Sequence, residues 1–175
     1  ATPLLLCFLL SITSFAQENN PAFTFFGWSD QHTNTSGDTS RLHPFVDAMN
    51  TMAGTAWPKT VGGKVAKPSF VIGAGDITEW PTHAAMKGYD SLLNNRLQFP
   101  AYDVLGNHDD GGRAFSPTMI NWLKKKHGSL SYTFEKGGVV FIGLWSKFDP
   151  KGKPAQPLTQ EALTYLKEQL AKLSK

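Results

Sequence analysis

Three runs of β-forming residues in this chain each break off into a short cluster of Asp, His or Asn. Phe23-Thr24-Phe25-Phe26-Gly27-Trp28 leads into Asp30-Gln31-His32. Ser69-Phe70-Val71-Ile72-Gly73-Ala74 leads into Gly75-Asp76, and Tyr102-Asp103-Val104-Leu105 into Gly106-Asn107-His108-Asp109. Short, mostly apolar and rich in β-branched or aromatic residues, the runs read as buried strands. Helical periodicity fills the gaps between them. Leu42, Phe45, Val46, Met49 and Met52 fall at helical spacing, with Pro44 in the first turn and Ser40 placed to cap it. Pro81 opens a second helix carrying Ala85, Met86, Tyr89, Leu92 and Leu93 on one face. The β-α-β-α-β order predicts an α/β fold, with parallel strands joined by right-handed crossovers. Loops leaving the carboxyl ends of such strands converge, so all three polar clusters are expected to meet.

Beyond Asp110 the texture changes. Met119 to His127 reads as a helix, and Leu130–Glu135 and Val139–Trp145 as a hairpin around Lys136-Gly137-Gly138. A proline-rich loop, Pro150 to Pro157, leads to a last helix. Its apolar stripe is Leu163, Leu166, Leu170 and Leu173, with Thr159 as cap and Glu161 and Glu168 outside the stripe. Trp57 to Lys67 is an irregular loop, and neither an internal repeat nor a second domain is visible in the 175 residues.

Composition sets the class. With 41% hydrophobic and 18% charged residues the chain is globular and not disordered. A net charge of +3 is too small and too scattered for a nucleic-acid-binding domain, and the run Lys124-Lys125-Lys126 reads as a solvated helix face. Residues Pro3 to Ile12 are apolar and uncharged, and Ser14-Phe15-Ala16 follows with small residues at its first and third positions. That run is too short for a transmembrane helix, which takes about 20 residues. Residues 1–16 are therefore read as part of a secretory signal peptide, and the protein as secreted or periplasmic. Cys7, the only cysteine, lies in this segment, so the mature chain carries no thiol or disulfide.

The three clusters carry the chemistry. In Asp30-Gln31-His32 the carboxylate and the imidazole stand one residue apart, and both can reach one cation. Asp76 has two oxygens able to bridge two ions, and Gly75 allows close backbone approach. In Gly106-Asn107-His108-Asp109 the Asn oxygen can ligate a metal without adding charge, above a turn that glycine permits. Each cluster alone is also an ordinary polar turn. Their order and their three strand-end positions are the signal.

Asp-x-His, Gly-Asp and Gly-Asn-His-Asp in this order resemble the calcineurin-like metallophosphoesterase superfamily, over roughly Phe23 to the end of the chain. The resemblance implies a four-layer β-sandwich flanked by helices and hydrolysis of phosphate mono- or diesters by a binuclear centre and its bridging hydroxide. Two divalent ions, drawn from Mn, Fe, Zn or Co, would sit about 3.5–4 Å apart. Asp30 and His32 would hold the first metal, Asp76 would bridge both and Asn107 would bind the second. His108 would contact the phosphate of a small phosphoester substrate and protonate its leaving group. Asp109 would orient that imidazole or its loop. Glu79 and His32 depart from the purple acid phosphatase pattern, and Asp109 and Ile77-Thr78-Glu79 from the protein Ser/Thr phosphatases.

Relatives also carry a strand ending in His and a Gly-His-x-His loop, and neither motif is present here. The resemblance thus implies that residues 17–175 are an incomplete phosphoesterase domain, its C-terminal half missing, binding metal weakly and inactive by itself. The alternative is a non-catalytic exported binding domain on the same scaffold; a calcium loop fits the His and Asn donors less well. His43, His83 and His127 are read as structural or solvated, and Trp28, Trp80 and Trp145 as core residues able to stack on a base or sugar.

Overall fold

The computed structural model describes residues 23–147, 151 and 158–173. The signal segment with Cys7, the polar lead-in before Phe23 and most of the proline-rich loop at 150–157 lie outside the described residues. Strands β1 (Thr24–Trp28), β2 (Pro68–Gly73) and β3 (Ala101–Asp103) form one parallel sheet in the order β1-β2-β3. Helix α1 (His43–Thr51) crosses from β1 to β2 and α2 (His83–Asn95) from β2 to β3. After α3 (Thr118–His127), β4 (Tyr132–Lys136) and β5 (Val139–Gly143) pair antiparallel, and α4 (Gln160–Leu173) ends the described chain.

Alternation along the strands gives the sheet two different faces. Phe26, Trp28 and Val71 pack with Leu42, Val46, Tyr89, Leu92 and Leu123 from the helices. Phe25, Phe70 and Tyr102 point the other way and meet the hairpin rings. Phe70 lies 5.2 Å from both Phe134 and Phe141, and Tyr102 stacks on Phe134 at 3.6 Å. Helices, parallel sheet and hairpin are thus successive layers. Helix α4 touches the hairpin through Tyr165, whose hydroxyl donates to Thr133 at 3.3 Å.

Several local expectations are corrected. Ser40 caps nothing: it lies in a 3-10 turn, and its N–H and hydroxyl both donate to Asp38. Helix α2 begins at His83 and not at Pro81, because the Thr82 hydroxyl accepts the Ala85 N–H at 3.0 Å. Thr159 does cap α4, accepting from Ala162 N at 3.1 Å. The apolar stripe expected on α4 lies mostly at the surface: only Ala162 of that helix is buried, and Leu170 and Leu173 are 50% and 54% exposed. Lys126 leaves the solvated face to pair with the fully buried Asp103 at 3.0 Å.

Candidate metal centre

The parallel sheet extends beyond its strands just where the polar clusters begin. Asp30 N donates to Gly75 O at 3.0 Å, His32 N to Asp76 O at 3.0 Å and Thr33 N to Ile77 O at 2.8 Å. The loops after β1 and β2 therefore run zipped together, which brings the first cluster against the second. The third cluster joins through side chains. Asp76 Oδ1 accepts the His108 N–H at 3.0 Å, and the Asp109 carboxylate accepts from Gly106, Ile77 and Thr78. Gly106 has to be glycine, because a Cβ there would run into the Asp76 carboxylate and amide nitrogen.

This zipper brings ligand atoms of Asp30, His32 and Asp76 within 4.8 Å of one another. All three residues are left-handed, at φ of 55°, 44° and 52°, and no other non-glycine among the described residues is. Such backbone is uncommon outside glycine and clusters where side chains must be aimed. Asn107 lines the cleft of about 370 Å³ that Asp30, Gly75, Asp76 and Gly106 also form. One carboxylate-imidazole pair, a second carboxylate and a neighbouring amide suit a borderline divalent ion. The Ser29 hydroxyl, 2.5 Å from Asp30, holds that carboxyl below its usual range, and His32 adds to the effect against partial desolvation. Asp30 is thus ready as an anionic ligand at neutral pH.

His108 stands over the same place, its ring 4.7 Å from that of His32. Its Nδ1 lies 2.8 Å from the carbonyl oxygen of Glu79. A carbonyl can only accept, so Nδ1 carries the proton and Nε2 is the nitrogen left for chemistry. The orienting partner is therefore a backbone carbonyl and not Asp109. Asp109 acts on the loop: fully buried, it ties the third cluster to the second, and burial pushes its carboxyl up to about 6 against the four donors that pull it down.

Among the tryptophans, Trp28 and Trp145 pack on the core, while Trp80 is 41% exposed with its ring 6.4 Å from His108. His43 contacts Thr39, and His127 stacks on Tyr132 at 4.0 Å; neither joins the centre. Arg41, which donates to the carbonyls of Gln31 and His32, was not foreseen from the sequence. No motif marks it, and the contact exists only once the loop after β1 folds back on the turn before α1. Compared with models of protein families, with curated proteins and with solved structures, the chain matches none.

Proposed function

We propose that this centre hydrolyses phosphate esters with two divalent metal ions, in the manner of the calcineurin-like phosphoesterases and on their four-layer sandwich. The convergence of Asp30, His32 and Asp76 within 4.8 Å at strand ends carries the reading. Asp30 and His32 would hold the first ion, Asp76 would serve both and Asn107 would take the second. When bound, such ions screen the phosphate and lower the pKa of water.

The chain's own residues do the rest. Asp76 is fixed twice, by the His108 N–H on its carboxylate and by its carbonyl on His32 N. His108, with Nδ1 anchored on Glu79, presents Nε2 to a phosphate oxygen and, when protonated, delivers a proton to the departing alcohol. General acid help of this kind is worth about 10²–10⁴-fold. Asp109 holds the loop that sets the height of both Asn107 and His108. The reading of residues 1–16 as part of a secretory signal supports a reaction outside the cytoplasm.

The test has a binding arm and a turnover arm. Beyond the broadening that a matched Mn solution without protein produces, the protein is expected to broaden the ³¹P line of inorganic phosphate further, and Asp76→Asn to abolish that excess. Against bis(p-nitrophenyl) and alkyl phosphates, His108→Ala is expected to keep its metal and lose turnover most for the alkyl esters. A line no broader than in the matched solution overturns the reading of the site. An alkyl ester cleaved by His108→Ala at the parent rate overturns the role of His108.

A further inference from the structure

A second cleft opens on the other side of Asp30. It holds about 390 Å³ and, besides Asp30 and His32, is lined by Gln31, Arg41, Leu42, Phe45 and Glu79. Arg41 is exposed, yet its position is fixed: Nη2 donates to Gln31 O at 3.0 Å and also to His32 O. No carboxylate pairs with it among the described residues. A guanidinium held by one nitrogen and lacking a counter-charge keeps its remaining donors for a planar anion.

Two further features point to an organic ligand. Phe45, one helical turn beyond Arg41, is 61% exposed and gives the cleft an aromatic wall, while buried Leu42 adds an apolar side. Gln31 is only 3% exposed, and neither its amide oxygen nor its nitrogen has a partner. Amides buried this deeply are normally hydrogen-bonded, so Gln31 is an unsatisfied group in the wall of the cleft, its amide atoms closed off from solvent. Glu79 lines the same space without pairing to Arg41 and disfavours ligands of excess negative charge.

We propose that this cleft receives the alcohol half of the phosphoester, and that Arg41 selects alcohols bearing a second anionic group, a carboxylate or a phosphate, close to the ester oxygen. The proposal rests on the phosphoester reading of the centre. Because Arg41 is bonded to the carbonyl of His32 itself, an anion held there lies beside the first metal's ligands. Phe45 covers the carbon skeleton between the two charged ends. Arg41 is a specificity residue and, through Gln31 and His32, a positioning one.

Glycerate 3-phosphate and glycerol 3-phosphate differ only in a carboxylate against a hydroxymethyl group, which makes them the probes. Their affinities for the Mn-loaded full chain are measured by calorimetry, beside inorganic phosphate. The carboxylate compound is expected to bind about tenfold tighter, the worth of one charge-assisted fork. Arg41→Gln should erase the preference and Glu79→Gln widen it, each read as the ratio of the two affinities. Equal affinities in the parent, or a preference that survives Arg41→Gln, overturn the proposal. Should Arg41→Gln shed metal because the loop loses its clamp, the parent ratio and Glu79→Gln decide, and a ratio that Glu79→Gln leaves unmoved is a refutation. Phosphate bound without the preference sinks the subsite alone; no phosphate bound at all sinks the phosphoester reading and the subsite with it.

Discussion

At the scale of single residues, the centre is made of positions that a folding chain would not choose for stability. Asp30, His32 and Asp76 hold left-handed backbone, which costs of order 1–3 kcal/mol for a constrained residue. The zipper of backbone bonds between the two loops offsets that cost. His32→Gly removes the strain and the ligand together. Its unfolding free energy is therefore expected to stay within about 1 kcal/mol of the parent while metal affinity collapses, read by urea titration and by metal content. Glycines make the complementary case. Gly106→Ala sets a Cβ against the Asp76 carboxylate, whereas a Cβ on Gly27 meets nothing within 4 Å. The first is expected to lose about 1–3 kcal/mol together with metal binding, and Gly27→Ala to lose neither. Residue types and strand-end positions were legible in the sequence, because ligand chemistry restricts them to a few amino acids. The roles of Arg41, Ser29 and the Glu79 carbonyl were not, because each depends on a contact between loops that no local pattern encodes.

Among elements, α3 and β3 share a buried charge. Asp103, with no exposure, takes the Lys126 ammonium at 3.0 Å and the Tyr89 hydroxyl at 2.9 Å. Lys126→Met leaves that carboxylate with the Tyr89 hydroxyl as its only side-chain partner among the described residues. The loss is expected near the lower end of about 3–5 kcal/mol, since the lysine end is 25% exposed; Asp103→Asn in the same background should recover part of it. The end of α3 also titrates. Burial pushes His127 down to about 4, with Lys126 adding to the effect. Its neutral form is the folded one, so stability is full above the ordinary histidine value of about 6.5 and is lost as pH falls from there toward 4. Asp109, raised to about 6, works in the opposite sense, so the His127 contribution is best isolated as a difference. His127→Phe keeps the stack on Tyr132 and should remove this part of the acid sensitivity, measured as urea midpoint against pH. Helix and strand identities followed from apolar period, and caps only in part: Thr159 holds the start of α4 as expected, whereas Ser40 does not cap α1. Thr82 displaced Pro81 because a side-chain oxygen reaching a free N–H outweighs a composition cue, and Ser40 is taken up by Asp38 instead of capping.

For the whole molecule, the described residues form helices, a parallel sheet and a hairpin in layers, with the candidate centre at the carboxyl end of the sheet. That placement follows from the β-α-β-α-β order and is the part of the architecture the sequence made legible. The position of α4 is not, because an amphipathic stripe announces that a helix has an apolar face and not what covers it. With only Ala162 buried, α4 is expected to exchange its amides well before α2, whose Tyr89, Leu92 and Leu93 are core; equal protection would show α4 held more firmly than its burial implies. Every role proposed for the centre depends on whether the loops after β1 and β2 assemble a metal site. The most direct measurement is metal content after dialysis of the protein with Mn or Zn, beside Asp76→Asn and a control, Asp38→Asn, whose carboxylate serves only the turn before α1. Metal bound at equilibrium by the parent and by Asp38→Asn, and absent from Asp76→Asn, is the predicted result; metal absent from the parent, or retained by Asp76→Asn, would contradict it.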